Sequence, residues 1–530
     1  MPDTIITPSP RTHAAPAAQS RRDNPWLTLV AVAFGLFMVG LDASVVAIAN
    51  PYIGRDLDAS LAELQWVTNS YLLALAVALI LGGKLGDRFG RRTFFLVGLV
   101  GFTLTSVAIG LAGGIEAVIA FRALQGLFGA LMMPNTLGLL RAVFPPKKFG
   151  MAVGIWAAVN SVATAAGPIV GGLLVEHVNW EAVFLINAPV GAVGLVVGLL
   201  VLPQSKDSTG HHRFDVVGVL LLAAAMVAIV YPVVQSESWG WGSLRTLGLL
   251  TLGVVLLGLF ALLETRVAHP LLPMRLFRNA SLSVGTAVTA INFFVLLGSI
   301  FYVMLYLQNV RGYSPVEAGV LTLPLSLTSM VASPLGAALN GRFGPRLAMT
   351  VGMLLQAGAS FGLLALSPDS GHLSMWPAFV ALGLGVGMVM AASSEAIVGN
   401  APIRDGGVAG GLQATALQVG GALGTAVLIS VLGSRIGSTL HQEYLTAGVP
   451  GDLADTLAGA DGATAQGVAP IVAGVPAAVQ RAVEQGAAEA FLSGAHTAAL
   501  VTGALCLLGA ALTWGLVRRG TTVVDVPVAH

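Results

Sequence analysis

The chain has 530 residues, 55% of them hydrophobic and 10% charged, with a formal net charge of +1 and a mean hydropathy of +0.84. A soluble domain carries about 25% charged residues, so a water-soluble fold this long would lack the polar surface it needs, whereas lipid as the solvent lets apolar side chains face outward. The near-zero charge excludes a basic field for nucleic acid, no metal or haem spacing is present, and the single cysteine, Cys506, excludes an internal disulfide.

Residues 1–24 are polar and rich in Pro, Ala, Thr and Arg, with no apolar stretch ahead of a small-residue cleavage site, and are expected to form a cytoplasmic tail. A membrane-spanning helix needs about 20 apolar residues. The first such run, 27–49, contains Asp42, an acid deep in a span, where an ionisable group costs about 2.5–3.5 kcal/mol on insertion scales. The second run, 64–83, leads into Gly83-Lys84-Leu85-Gly86-Asp87-Arg88-Phe89-Gly90-Arg91-Arg92. Its glycines allow a tight turn, its arginines sit at headgroup level, and Asp87 pairs with them or caps a helix N-terminus. Charge pairs of this kind hold one closed state and break in the other, so Gly83, Asp87, Arg88, Gly90, Arg91 and Arg92 read as a gating loop.

After the run 93–113, the run 116–140 carries Arg122 about 9 Å inside its outer end, counting helical rise. A buried guanidinium stays protonated and must find an anion. Asp42 lies at a similar depth, about 12 Å. The pair is therefore expected to couple proton movement, with a static ion-pair brace as the alternative. The run 151–174 is nearly free of large side chains along Ala157, Ala158, Ser161, Ala163, Ala165, Ala166, Gly167, Gly171 and Gly172. Small residues let helices approach closely in lipid, and Gly167-Pro168 permits a kink. A proton-tight seal and ordinary helix packing both account for it.

The run 182–202 is followed by 215–235, 245–264, 281–306, 316–339, 345–366, 374–398, 407–432 and 494–517. Glu395 lies about 30 Å along the run 374–398, near its cytoplasmic mouth, as an interfacial carboxylate or as a substrate or second proton site. A pocket between halves is apolar with a few polar anchors. Its candidate linings are Asn135, Trp156, Asn160, Asn292, Phe293, Phe294, Tyr302 and Gln356, and core packing is the alternative for each. The segment 433–493 is Ala/Gly-rich and acidic, with Glu443, Asp452, Asp455, Asp461, Glu484 and Glu489. It is expected to be an extracellular loop whose last part, about 476–491, forms a surface helix leading into the final span.

Charge placement supports fourteen spans with both ends inside. The cytoplasmic segments then hold Arg11, Arg21, Arg22, Lys84, Arg88, Arg91, Arg92, Arg141, Lys147, Lys148, Lys206, Arg213, Arg266, Arg275, Arg278, Arg342, Arg346, Arg404, Arg518 and Arg519, leaving Arg55, Arg245, Arg311, Arg435 and Arg481 outside. An internal repeat supports the same map. Asp87-Arg88-Phe89-Gly90-Arg91-Arg92 recurs as Gly341-Arg342-Phe343-Gly344-Pro345-Arg346, and Gly150, Ala152 and Gly154 recur as Gly407, Ala409 and Gly411. The expected organisation is a tail (1–24), a six-helix half (25–202), a linker with two inserted helices (203–280), a second six-helix half (281–517) and a cytoplasmic tail (518–530). Two parallel halves with a site between them is a transporter plan.

The stretch Gly83–Arg92 resembles the signature loop of the major facilitator superfamily. Over about residues 25–517 the chain is similar to that superfamily's fourteen-helix drug:proton antiporter branch. The matching motifs are Leu41-Asp42-Ala43-Ser44-Val45-Val46, Arg122-Ala123-Leu124-Gln125-Gly126, and Gly154 with Gly167-Pro168-Ile169-Val170-Gly171-Gly172. His269-Pro270-Leu271-Leu272-Pro273, Leu276-Phe277, Tyr306-Leu307-Gln308 and Gly312-Tyr313-Ser314-Pro315 are similar as well. The resemblance implies an all-α membrane protein with the major facilitator fold, two six-helix halves plus two inserted helices. It further implies a monomeric proton-coupled antiporter in a bacterial inner membrane, exporting hydrophobic drugs, antibiotics or related metabolites, with no enzymatic activity, cofactor or metal. Gly154, Gly167, Pro168, Gly171 and Gly172 take the antiporter-motif positions. The chain departs from the branch at Trp180-Glu181-Ala182, where Trp-Arg-Trp is usual. It departs again at Gln413-Ala414 and Leu417, where many relatives carry an Asn-Asp pair and an Arg. Gly341 removes the aspartate from the second copy of the loop, so the two halves are not expected to lock alike.

Two other functions compete. A facilitator-type importer of the same fold would lack the span-five glycine motif. A respiratory proton-translocating subunit would need a midplane chain of charged residues, and this sequence has no intramembrane lysine. ATP drive is excluded by the absence of a Gly-x-x-x-x-Gly-Lys-Ser/Thr loop.

Overall fold

The computed structural model describes residues 24–517 apart from 60, 205–214, 268–269, 314, 369, 403–404, 460–463, 465–466 and 473. Both expected tails up to residue 23 and from residue 518, together with Lys206, Arg213, His269, Ser314, Arg404 and Asp461, lie outside the described residues. So do the side chains of Lys147, Ser161, Ala165 and Pro168.

No strand occurs among the described residues; the chain runs as fourteen long helices with short turns and helical pieces between them. In lipid a backbone must bond within its own segment, which leaves helices as the solution for this composition. The helices are α1 (Pro25–Asp56), α2 (Leu61–Phe89), α3 (Arg91–Gly110), α4 (Ile115–Val143), α5 (Pro146–His177), α6 (Asn187–Val201), α7 (Val216–Val234), α8 (Leu244–Glu264), α9 (Ala280–Leu305), α10 (Pro315–Phe343), α11 (Pro345–Gly362), α12 (His372–Ser394), α13 (Gly406–Thr446) and α14 (Ala477–Leu516). Thirteen segments are long and apolar enough to cross a membrane, and Val217–Val233 is a shorter apolar helix, which completes the expected set. The sixth span is interrupted: a single turn, Ala182–Leu185, precedes α6.

The helix starts follow local chemistry. Asn24 caps α1 by accepting the Trp26 N–H at 3.0 Å, with Pro25 in the first turn. Asn279 caps α9 by accepting the Ser281 N–H at 2.9 Å. The two repeated junctions turn on glycines with left-handed backbones, Gly90 at φ +117° and Gly344 at φ +80°.

Packing repeats from half to half. In the first half α2 packs on α4, α1 on α5, α3 on α4, and α6 on α1 and α3; in the second, α10 packs on α12, α9 on α13, α11 on α12, and α14 on α9 and α11. The halves meet where α2 and α4 touch α13 and where α5 touches α10 and α12. The inserted α7 and α8 pair with each other, and α7 leans on α2 and α13.

One apolar core joins the halves near the α2–α3 junction, combining Leu79, Leu137, Phe149 and Val153 with Met390, Ile397, Val408 and Leu412. Toward the opposite end the large cores are separate. Val45, Ile53, Val118 and Phe184 belong to one half, and Tyr302, Phe379, Leu428 and Phe491 to the other. The molecule is therefore sealed at the junction end and divided at the far end.

Residues 433–493 are not simply a loop. The helix of the thirteenth span continues to Thr446, a short helix covers Gly451–Ala458, and α14 begins at Ala477, long before its apolar stretch. Ile436, Leu440 and Tyr444 recur every fourth residue and pack with Val483, Ala487, Ala490 and Phe491. This stripe has helical period but too little total hydropathy to read as a span.

Candidate functional site

Asp42 and Arg122 are each 1% exposed and meet between α1 and α4. Arg122 Nη1 donates to Asp42 Oδ2 at 2.6 Å and to Gln125 Oε1 at 2.7 Å. Gln125 Nε2 donates to the second carboxylate oxygen, Asp42 Oδ1, at 3.1 Å. Arg122 Nε donates to the Val67 carbonyl at 3.0 Å, and the guanidinium carbon lies 4.2 Å from the centroid of the Tyr71 ring. Gly126 lets α4 come this close to α2: a Cβ there would lie 2.4 Å from the Tyr71 carbonyl. Both oxygens of Asp42 thus have donors, and the charge of Arg122 is answered on several sides, as a buried charge requires.

Sequence reasoning placed Asp42 and Arg122 at one depth but did not single out Gln125, Tyr71 or the Val67 carbonyl. Gln125 had a signal, being three residues from Arg122 and therefore on the same helix face. Tyr71 had none, since an aromatic residue in an apolar run reads as packing.

The gating loop closes the junction end. Asp87 is buried and its Oδ1 bonds Arg91 Nε at 2.7 Å and Nη2 at 2.6 Å. The same carboxylate accepts the Gly407 and Val408 N–H groups at 2.9 Å each, capping α13 of the other half. Gly83 and Gly407 make the crossing possible: a Cβ on Gly83 would lie 2.1 Å from the Gly407 carbonyl. Arg92 Nη2 donates to the Leu199 carbonyl at 2.7 Å, and Lys84 Nζ to the Pro270 carbonyl at 2.9 Å. Arg88 lies over the Phe89 ring at 4.9 Å, and Arg91, just past Gly90, makes the ion pair with Asp87. Asp87 lies at the end of α2 and Arg91 opens α3, so the pair closes across the left-handed turn at Gly90.

The second half locks differently. Gly341 offers no carboxylate, and Glu395 from the π-turn Glu395–Gly399 comes to the corresponding place. Its Oε2 accepts Asn340 Nδ2 at 2.5 Å and would lie 2.5 Å from a Cβ on Gly150, the repeat partner of Gly407. Glu395 therefore sits at the contact between α5 and the second half, and Asn340 is a polar partner that the sequence did not flag.

The glycine positions of α5 divide by neighbour. Gly154 faces α10, where a Cβ would meet Pro334 and Ala337 at 3.3 Å each. Gly167 and Gly171 face α1 just beyond Asp42, with Ser44 Oγ at 1.9 Å and Val45 Cγ2 at 2.6 Å from their imagined Cβ atoms. Gly172 has nothing within 4 Å. Pro168 lies within the helix.

Most expected cavity residues have partners inside one half. Asn135 Nδ2 donates to the Gly82 and Leu131 carbonyls at 3.1 and 2.7 Å, tying α4 to α2. Trp156 Nε1 donates to Thr136 Oγ1 at 2.9 Å, and Gln356 Nε2 to Asn292 Oδ1 at 2.8 Å. Tyr302 is buried in the second half's own core. Apart from Trp156, these groups are only partly satisfied: Asn135 Oδ1, Asn292 Nδ2, Gln356 Oε1 and the Tyr302 hydroxyl are buried without a hydrogen-bond partner among the described residues. Asn160, beside Gly40, and Phe293 and Phe294, at the edges of the two cores, are only partly buried. No group of three or more metal-binding side chains occurs among the described residues.

Comparison with known proteins agrees with this architecture. The chain is 48% identical over 512 residues to the tetracenomycin C resistance and export protein of Streptomyces glaucescens, covering 95% of each chain. It is 37% identical to the multidrug resistance protein Stp of Mycobacterium tuberculosis, covering 80% of this chain and 79% of that one. Among solved structures, the proton:xylose symporter XylE shares the fold with a TM-score of 0.60 at 14% identity, covering 93% of this chain and 96% of that one. The Major Facilitator Superfamily profile matches residues 32–425, and this multi-pass membrane protein belongs to that superfamily.

Proposed function

We propose that the chain is a proton-coupled antiporter that exports hydrophobic small molecules, drugs, antibiotics or related metabolites, across a bacterial inner membrane. It acts as a monomer with both termini in the cytoplasm. The observation that carries this reading is the buried Asp42–Arg122–Gln125 group beside the glycine face of α5. With a donor on each oxygen, Asp42 is satisfied as an anion. Leaving Arg122 removes the neighbouring positive charge and lets it take a proton. Binding of substrate and of proton then exclude one another if the substrate holds Arg122 on Asp42 and so favours the paired, ionised acid. The junction end is shut in this conformation, so Asp42 faces exchange with the opposite, outer side. Rocking the halves to open the inner side breaks the bonds from Asp87 to Gly407 and Val408. Each proton moving inward supplies about 2.3 kcal/mol per 100 mV. The names of relatives that export or resist antibiotics support the direction and the substrate class.

The test uses everted membrane vesicles with an imposed pH gradient and a panel of antibiotics and dyes that begins with tetracenomycin C. Wild type accumulates at least one compound when the interior is acid. Asp42→Asn, which mimics the protonated acid, loses gradient-driven accumulation at equal expression while still binding the compound. Full accumulation by Asp42→Asn overturns the assignment, and accumulation only under the opposite gradient overturns the direction.

A further inference from the structure

The base of the inserted helices holds two carboxyl groups that this exchange does not use. Asp215 caps α7, its Oδ1 accepting the Gly218 N–H at 2.8 Å. Glu264 ends α8, is 3% exposed, and accepts the Leu272 N–H on Oε2 at 3.0 Å. The remaining oxygens, Asp215 Oδ2 and Glu264 Oε1, are both buried and both lack a hydrogen-bond donor. They converge on one point: a Cβ on Gly218 would lie 2.5 Å from the first and 2.6 Å from the second. The charged groups acting on Glu264 are Asp215, within hydrogen-bond reach, and Lys84 of α2. The Lys84 ammonium is held by the Pro270 carbonyl at 2.9 Å. Arg275 and Asp405, in the adjoining segments, pair with each other at 3.0 Å.

Ionised carboxylates only accept hydrogen bonds, so two facing orphan oxygens repel and each bears the cost of an unmade bond. One proton removes both penalties, since the neutral acid donates to the remaining carboxylate, as in carboxyl pairs that cannot both ionise. We propose that Asp215 and Glu264 form a proton-binding pair, sharing one proton between Asp215 Oδ2 and Glu264 Oε1, and that this pair latches the inserted helices to the gating loop. The latch is continuous in the chain. Glu264 holds Leu272, Pro270 just before it holds Lys84, and Lys84 lies one turn before Asp87 on α2. Loss of the proton to solvent leaves two negative charges face to face and drives Glu264 from Asp215, taking Leu272 and Pro270 with it and releasing Lys84 from the Pro270 carbonyl. The inserted pair is then a pH-responsive element acting on the junction, separate from the Asp42 group.

The experiment uses the purified full-length protein. Infrared difference spectra near neutral pH compare wild type with Glu264→Gln, Asp215→Asn and the double variant. A shared proton predicts that each single variant loses one neutral carboxyl carbonyl band, because its amide supplies the missing donor and the remaining acid ionises. The double variant loses the same single band and no more. Thermal unfolding gives a second readout. A folded state that holds a proton the unfolded chain releases loses stability as pH rises. The wild-type midpoint therefore falls from mildly acidic to mildly alkaline pH, and the Glu264→Gln midpoint stays level. Unchanged bands in both single variants overturn the proposal. So does stabilisation of wild type, but not of Glu264→Gln, by added sodium, magnesium or calcium ions, which makes the pair a cation site.

Discussion

Arg122 meets three demands with one planar group: an anion, an amide oxygen and a backbone carbonyl, from Asp42, Gln125 and Val67. Lysine carries a single ammonium on a different stem and cannot span the Asp42 side and the Val67 carbonyl together. Arg122→Lys is therefore expected to fold and insert normally but to lose at least tenfold in proton-driven efflux, measured as initial rate at matched expression. Unchanged efflux would reduce the pair to a brace. Asp87 carries the corresponding load at the junction. Asp87→Asn replaces charge-assisted bonds worth about 1.5–3 kcal/mol each and turns an amide donor toward Arg91 or a backbone N–H. About 1.4 kcal/mol is a factor of ten in population, so the junction-closed state should lose at least tenfold. Faster labelling of a cysteine placed at Leu85 checks this, and equal labelling in both proteins contradicts it. At this scale the legible residues were those whose chemistry conflicts with lipid, Asp42 and Arg122 above all. Neutral partners such as Gln125, Tyr71 and Asn340 cost little in an apolar run and left no comparable mark. The Asn135, Trp156 and Gln356 side chains drew notice as polar groups, but no pattern tells a bonded interior amide from a cavity wall before the neighbours are known.

At the scale of elements, the glycines of α5 set where α1 can lie. A Cβ on Gly167 falls almost on Ser44 Oγ, two residues past Asp42, whereas one on Gly172 meets nothing within 4 Å. Gly167→Leu should push α1 off α5, shift Asp42 from Arg122 and abolish efflux, with overpacking of about 1–3 kcal/mol seen as a lower unfolding midpoint. Gly172→Ala should change neither. Equal transport by the two variants would refute this division of the motif. The spans were legible because about 20 consecutive apolar residues have one common explanation. The extension of α14 was legible too, since about 476–491 read as a helix leading into the final span, and α14 begins at Ala477; that of α13 was not, because its apolar stripe holds only every third or fourth residue and hydropathy averages it away. The break at Ile186 and the π-turns at Tyr306–Val310 and Glu395–Gly399 follow from tertiary fit and have no local signature.

Across the whole molecule, two copies of a six-helix unit meet with unequal locks. Asp87 caps α13, and Glu395 with Asn340 presses on α5 at the repeat-related glycine. The repeat itself was readable from the Gly83–Arg92 and Gly341–Arg346 junctions, and the loss of Asp at Gly341 correctly forecast asymmetry. What replaced it was unreadable, because Glu395 arrives from a different helix. The topology predicts opposite compartment signals from reporters fused after Val517 and within 433–493; identical signals would refute it. The central claim is that one buried carboxylate exchanges a proton for a substrate. Its most direct measurement is proton release on substrate addition to the purified protein in weakly buffered solution, followed with a pH dye. Wild type should release about one proton per bound substrate on the competition scheme, falling away at alkaline pH, and Asp42→Asn should bind substrate and release none. Equal proton release from wild type and Asp42→Asn would contradict it.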